Sequence, residues 1–413
     1  MTVVVFEDDE LAGFGPLVAM RHASQLAWGT RTLLESILLQ VSDPAGHHLW
    51  GREGLADVAR EELRTSYNEP VHGQVQFVNA LARPGRSLRS LFERKGPFAA
   101  FSGDRLVAAR NDASSLPPGV LARGGVAKAM KGAERLDVPS ESLLRGYWEL
   151  VKSNGLAIAE QAKHFEHPPA LPTNAALRGP PSNLRLHGDA EVEEFVHFDA
   201  RKGPIMIEEG ALVESFSRVT GPCYIGPRTR LYSAQIGGGT SIFEGCRVGG
   251  QVDNSILMAH TNKAHQGYVG DSYVGEWVNI GAGSNFSNLK NTYGNVRLEV
   301  GGEKVDSGMM KVGPAVGDLG KLSIGTLVYA GKTLGTGCQL AGLARTNVPS
   351  FTYLAPTGKM TELLVDSVVE TQRRMVERRG KTLTRAGEAL LRTTFRLTSA
   401  ERKKAGVRKG RLA

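Results

Sequence analysis

Between Val252 and Asn288 the sequence (VDNSILMAHTNKAHQGYVGDSYVGEWVNIGAGSNFSN) gathers His260, Lys263, His265, Tyr268, Asn279 and Asn288 among small and aliphatic residues. Histidine titrates near neutrality, so it can take the proton that an amine must lose when its nitrogen attacks a carbonyl. The turn Ile280-Gly281-Ala282-Gly283 can aim backbone N–H groups at the oxygen that becomes negative in a tetrahedral intermediate. This inventory suits acyl transfer from a thioester to an amine, with His265 as the favoured base and His260 as the weaker candidate. His260 and His265 could also start a zinc site. Such a site needs three protein ligands, and the next histidines upstream, His187 and His197, are too distant to join them.

A repeat must position these groups. Ile207, Val213, Val219, Ile225 and Leu231 are spaced by six, as are Ile236, Ile242 and Val248, and later Val316, Leu322, Val328, Leu334 and Leu340. A period of six is neither helical nor a plain strand alternation. It fits a coil of three short strands in which one aliphatic residue per side points into a prism, the hexapeptide signature of a β-helix. Gly follows many of the aliphatic positions and suits the tight corners. From Asn285 to Met310 the hexad stops, and a long excursion from a compact repeat is usually functional or disordered. It resembles the loops that β-helix acyltransferases extend over a neighbouring subunit, which makes it a candidate binding loop.

Residues 1–170 have a different texture, that of an α/β domain. Val3–Phe6 predicts a buried strand, Arg31–Val41 a helix, Val75–Leu81 a strand, and Phe98–Ala109 a hairpin turning at Gly103-Asp104. Leu143–Phe165 predicts a helix in two pieces, broken near Gly155, and the Pro-rich 171–184 predicts a linker to the repeat at 185–356. After Pro356, Leu364, Val365, Val368, Val369, Met375 and Val376 form an apolar helical stripe, expected to pack on the end of the β-helix.

The chain has 413 residues and a net charge of +8, but Gln372–Ala413 alone carries +11, so the body is close to neutral. The tail, 357–413, is expected to be a solvated basic helix. Contact with an acidic partner is the sharper alternative, and no nucleic-acid motif accompanies it. Cys223, Cys246 and Cys338 have no metal-like spacing and suit reduced core positions of a cytoplasmic protein. Neither a signal peptide nor a membrane span is expected.

The segments Asn262-Lys263-Ala264-His265-Gln266-Gly267-Tyr268, Gly275–Gly283 and Asn288-Leu289-Lys290-Asn291-Thr292-Tyr293-Gly294 resemble the acetyltransferase half of bifunctional N-acetylglucosamine-1-phosphate uridyltransferases of the GlmU type. The likeness is greatest to variants with a short nucleotidyltransferase domain, and it spans about 185–356. It implies a left-handed parallel β-helix, acetyl-CoA as co-substrate, and a homotrimer. It also implies that His265 is the general base, Asp253 its orienting acid, and Asn288 a residue near the reacting amine. Tyr268 and Asn279 would bind the sugar phosphate, and Ala282 and Thr326 would contact acetyl-CoA. Two basic positions of the family are occupied here by Tyr232 and Ser255, which Arg230 and Lys263 are placed to replace.

The N-terminal half resembles the same variants through Pro16-Leu17, Arg21, Trp28-Gly29, Phe77-Val78-Asn79-Ala80 and Tyr147-Trp148-Glu149-Leu150. This implies a nucleotidyltransferase-like α/β domain. Arg21 is its candidate for binding nucleotide phosphate, and Asp8 and Asp9 are either a solvated strand end or a contact to Mg²⁺ or to sugar. The loop Glu7–Leu17 departs from the family's Gly-rich phosphate loop, and its acids would repel phosphate without a cation. The expected enzyme joins acetyl transfer onto an amino-sugar 1-phosphate with nucleotidyl transfer from UTP or another nucleoside triphosphate, towards UDP-N-acetylglucosamine. The alternatives are a monofunctional acyltransferase and a non-catalytic regulatory trimer that binds a nucleotide sugar.

Overall fold

A computed structural model of the chain describes residues 1–41, 46–113, 125–130, 133–165, 172 and 175–410. The first strand, β1 (Thr2–Phe6), is apolar throughout because both of its faces are buried. It lies inside a seven-stranded sheet, beside the central strand, with β2 (Gly46–Trp50), β3 (Ser66–Tyr67), β4 (Gln74–Asn79), β5 (Phe98–Ser102), β6 (Arg105–Asp112) and β7 (Glu134–Asp137). The spatial order is 3-2-1-4-6-5-7, and only β6 runs against the others. The winding reverses between β1 and β4, which puts the switch-point crevice beyond Phe6 and Asn79.

Helix α1 (Leu33–Leu38) starts at Thr32, whose side chain and that of Glu35 form a reciprocal capping box. Helices α2 (Ala56–Glu61) and α3 (Arg86–Glu93) follow, then α4 (Tyr147–Gln161). Contrary to the expected break at Gly155, α4 is continuous. A Cβ at Gly155 would stand 3.3 Å from both Gly239 Cα and Pro222 Cγ, so this glycine lets the helix lie against the β-helix rather than ending it.

The repeat forms the parallel β-helix that the hexads predict. Each coil has three faces, begun by Leu184–Leu186, Glu191–Val192 and Val196–Asp199, and eight strands stack on the first face. Ile207, Ile225, Ile242, Leu257, Val274, Val316 and Leu334 fill one interior column in register. The hexad aliphatics and all three cysteines are buried. The expected linker is shorter than 171–184, because Ala175–Arg178 already pairs with Val196–Asp199.

The first face does not meet solvent. Its outward residues Ile256, Tyr273 and Ala315 belong to the same apolar cluster as the N-terminal domain. The Tyr273 hydroxyl accepts the Ala27 N–H at 2.7 Å and donates to the Ala27 carbonyl at 3.1 Å. Asn154 on α4 donates to the Gly239 carbonyl and to Ser241 Oγ, both at 2.8 Å.

The excursion also departs from expectation. It forms a hairpin, Arg297–Val300 with Glu303–Asp306, that packs Val296 and Leu298 back into the apolar cluster of the same chain. The tail is ordered as α5 (Val365–Glu377), α6 (Arg385–Leu397) and α7 (Ser399–Lys404). Val368, Val369 and Leu391 pack on Leu319 and Phe351 of the β-helix. Some of its charge is internal: Arg402 is buried, 2.8 Å from Glu362 and stacked on Phe395. Among the described residues no helix is long and apolar enough to cross a membrane.

Candidate functional site

Two edges of the β-helix carry the predicted residues. The edge between the second and third faces carries His265. Its side chain is exposed, and the following residue accepts the Gly283 N–H through the Gln266 carbonyl at 2.8 Å. One coil further, Ala282 accepts the Gly325 N–H at 2.8 Å. His265, Ala282 and Ile324 therefore stand on successive coils of one edge. Gly281 has no room for a side chain, since a Cβ there would lie 2.7 Å from the Ile324 nitrogen, and this closeness sets the spacing of the turns.

The edge between the third and first faces carries the polar cluster. Asn288 donates its amide to the Tyr268 hydroxyl at 3.0 Å and to Asp271 Oδ2 at 2.5 Å, while Asn254 donates to Asp271 Oδ1 at 2.7 Å. Asp253 lies beside them and accepts from Gln251 at 2.6 Å. Burial pushes the Asp253 carboxyl up and the Asp271 charge adds to this, against the opposing pull of Gln251 and Lys311. Burial pushes the Tyr268 phenol up to about 12, with Asp253 and Asp271 contributing, so it stays a neutral donor. Asp253 is thus grouped with Tyr268 and Asn288, and it makes no hydrogen bond to His265 within the chain.

Lys263 differs most from its expected role. It occupies an interior column, in register with Val248, and is 1% exposed. Its ammonium donates to the Gly249 carbonyl at 2.8 Å and to the His265 carbonyl at 2.6 Å, and burial pushes its pKa down to about 8. A charge directed inward at backbone oxygens does not face a ligand, so this lysine supports the His265 corner instead of gripping a phosphate.

Asn279 accepts the Asn262 amide at 2.8 Å on the second face. Arg230 lies two coils before Asn262 on the second face, 3.6 Å from Glu214, and is not part of either cluster. Thr326 is fully buried, its hydroxyl donates to the Ser323 carbonyl and its own carbonyl accepts the Asn285 N–H at 2.9 Å, so it presents no group to a ligand within this chain. His260 is a corner residue at φ 62° with its ring centroid 4.3 Å from that of Trp277. Burial pushes its pKa down to about 4, with nearby Lys381 adding to this, so it is a poor base at neutral pH.

In the N-terminal domain, Arg21 does not open onto the crevice. It reaches across to the β-helix and pairs with Asp318 at 2.5 Å and Glu276 at 2.9 Å. Both oxygens of Asp8 take Arg105 N–H groups, at 2.9 and 3.1 Å, and one also takes the Asn79 amide. Asp9 is exposed beside it. With both Asp8 oxygens already held by a guanidinium, this strand end does not suit a resident Mg²⁺, and among the described residues no three His, Cys, Asp or Glu side chains come together as a metal site. The hub of the β-helix cluster, Asp271, was missed in the sequence. Its signal was available: Asn254-Ser255 and Asp271-Ser272 are the same corner on adjacent coils.

With this geometry in place, comparison with known proteins is informative. The chain is similar to bifunctional GlmU proteins. It is 31% identical over 142 residues to a bifunctional sugar-1-phosphate nucleotidylyltransferase/acetyltransferase of Sulfurisphaera tokodaii, covering 32% of this chain and 34% of that protein. It is 37% identical over 121 residues to the bifunctional protein GlmU of Gloeobacter violaceus, covering 29% and 24%. For GlmU of Methanocaldococcus jannaschii the figures are 34% over 151 residues, 34% and 35%. The matches therefore span about a third or less of each relative. No family model matches the chain. Among solved structures, the UDP-N-acetylglucosamine acyltransferase of Campylobacter jejuni aligns over 59% of this chain and all of its own, at 13% identity and a TM-score of 0.34.

Proposed function

We propose that the chain transfers an acetyl group from acetyl-CoA to the amine of an amino-sugar 1-phosphate. The observation that carries this reading is the edge on which an exposed His265 stands one coil from the Ala282-Gly283 turn. His265 takes the proton from the attacking amine. The Ala282 N–H stabilises the thioester oxygen as it becomes negative, the Gly283 N–H being held by the Gln266 carbonyl. Tyr268 and Asn288, already bonded to each other, orient the sugar. Asp253 acts within that cluster rather than as the orienting partner of His265 in the same chain.

The same edge favours a homotrimer whose sites are completed between copies. Phe195 and Phe216, at 67% and 71% exposure, stack at one end of it, and Ile324, at 78%, stands one coil beyond Ala282; exposed apolar side chains at these places suit contact with a second copy. The first face is already covered by the N-terminal domain, which leaves this edge and the faces it joins for a second copy.

The test is thiol release from acetyl-CoA with glucosamine 1-phosphate as acceptor. Wild type should turn over, and His265→Ala should lose about 10²-fold or more. A wild type inert with this and related amino sugars would leave the β-helix as a scaffold and sink the reading.

A second activity, nucleotidyl transfer from UTP or another nucleoside triphosphate, is favoured by the switch-point crevice beyond β1 and β4. It runs without Arg21 or Asp8, whose charges are already paired. Pyrophosphate exchange with several nucleoside triphosphates, with added Mg²⁺, separates a bifunctional enzyme from a monofunctional acetyltransferase.

A further inference from the structure

A cavity of about 320 Å³ lies where the three parts of the chain meet. The N-terminal domain brings Arg21 and Val58 to it, the β-helix His260 and Trp277, and the tail Gln372 and Leu391. That volume is at the lower end of the range of small-molecule sites. His265, Tyr268 and Asn288 do not line it.

Among the described residues, five buried side-chain polar atoms have no hydrogen-bond partner within the chain, and two of the five, Arg21 Nε and Gln372 Oε1, belong to this wall. An unpaired buried polar atom is costly, so a donor and an acceptor left over at one cavity call for a shared partner. Gln372 is 4% exposed and lies with Val368, Val369 and Val376 on the buried side of α5. Neither end of its amide is bonded within the described chain.

The charges of the wall, by contrast, are already answered. Arg21 pairs with Asp318 and Glu276, Lys381 lies 3.8 Å from Glu244, and Glu62 accepts the Thr384 hydroxyl. An ion would disturb this balance, whereas an uncharged ligand leaves it intact. What stays open is one guanidinium N–H and one carboxamide, which offers an acceptor and two donors. A second amide edge, an N–H beside a C=O, meets a carboxamide in two parallel hydrogen bonds. A further acceptor on the same molecule takes the Arg21 Nε–H. The Trp277 and His260 rings, with centroids 4.3 Å apart, and Leu319, Val376 and Leu391 make the rest of the wall suited to a flat ring.

We propose that this cavity binds a small, uncharged, planar molecule with an amide edge, paired to Gln372 and packed on Trp277. The wall is drawn from all three parts of the chain, so the ligand ties the N-terminal domain and the tail to the β-helix and stabilises their docking. The proposal is independent of both transfer reactions. A pyrimidine base and a carboxamide on an aromatic ring share this chemistry, and the experiment separates them.

The experiment is ligand-observed NMR titration of the full chain with uracil, nicotinamide and nicotinate at pH 7, with melting profiles in the presence and absence of each. Wild type should bind uracil or nicotinamide and melt higher in its presence. Nicotinate, the same ring with a carboxylate in place of the amide, should bind about 10-fold more weakly or worse. Gln372→Leu removes the unpaired amide, so its ligand-free melting temperature should be no lower than that of wild type, while binding weakens about 10-fold or more. Val376→Met, one turn along α5, fills the cavity and should weaken binding in the same way. Binding of uracil alone assigns the site to a ring amide, and of nicotinamide alone to a carboxamide. No binding of either by wild type, nicotinate binding equal to that of nicotinamide, or undiminished binding in a folded variant overturns the proposal.

Discussion

From inside the β-helix, the Lys263 ammonium donates a 2.6 Å hydrogen bond to the backbone carbonyl of His265, whose own side chain stands outside. A second bond at 2.8 Å to the Gly249 carbonyl ties that corner to the coil before it. The buried charge is costly, since burial alone pushes its pKa down to about 8, and it sits where neighbouring coils have Val248 and Ile280. The gain is a fixed corner beneath the proposed base.

Lys263→Met keeps the length of the side chain and removes the charge. Its melting temperature at pH 7 should be no lower than that of wild type, while kcat for acetyl transfer falls about 10-fold and KM for acetyl-CoA holds. The pH dependence provides a second readout. Below pH about 8 the lysine is protonated in folded and unfolded chains alike, and its burial penalty is complete. As pH rises from 8 towards 10.5 the folded chain loses the proton first, so this group's contribution to stability rises across that window. Lys321, pushed down to about 7 by burial, acts in the same sense, so the comparison must be of wild type with Lys263→Met. Equal slopes in chemical denaturation from pH 8 to 10 would show that Lys263 is not the buried charge described.

Acid should weaken the N-terminal domain through Glu7. Burial alone would push this carboxyl up, but His22, the Arg52 guanidinium and the Ala23 N–H outweigh it and hold it at about 2, against an ordinary 4.5. Its stabilisation is complete above pH about 4.5 and is lost as pH falls towards 2, to a total of about 3 kcal/mol. Glu7→Gln should be less stable at pH 7, and its stability should change less than that of wild type between pH 5 and 3. Urea titrations at the two pH values measure both.

How much of this was legible in the sequence follows from what each residue answers to. The hexad was plain because a stacked core accepts only aliphatic residues at Ile207, Ile225, Leu322 and Leu340, whatever the corners do. The same spacing also locates Lys263: Leu257, Lys263 and Val269 are spaced by six, which is enough to put the lysine in an interior column. Its polarity drew it into the site instead. Gly155 suggested a break in α4 because a glycine required by a neighbouring β-helix is indistinguishable, along the chain, from one that ends a helix. Arg21 was legible as an important cation. Its partners, Glu276 and Asp318, lie so far along the chain that no local pattern could pair them.

That pairing joins the two domains, and its removal should be costly. Arg21→Ala leaves Asp318, 3% exposed, without its cation, which typically costs about 3–5 kcal/mol. Adding Asp318→Asn removes the stranded charge while keeping an acceptor for the Glu276 N–H, bonded at 2.7 Å. The double variant should therefore recover part of the loss. Unfolding by urea and limited proteolysis measure this, and a double variant weaker than Arg21→Ala would contradict the account. Nucleotide binding, if present, should persist in the double variant.

Asp271 bears directly on the amino sugar. It takes Asn288 on one oxygen and Asn254 on the other, from a left-handed backbone at φ 47°. Asparagine tolerates that conformation, so Asp271→Asn should fold. It can accept only one of the two amide bonds, so Asn288 is freed or reoriented beside Tyr268. KM for the amino-sugar phosphate should rise about 10-fold with KM for acetyl-CoA unchanged. Loss of the like charge should also lower the Asp253 pKa, since Asp271 is one of the groups raising it. Carboxyl titration by NMR reads that shift independently of turnover, and a change in KM for acetyl-CoA alone would move the sugar site away from this edge.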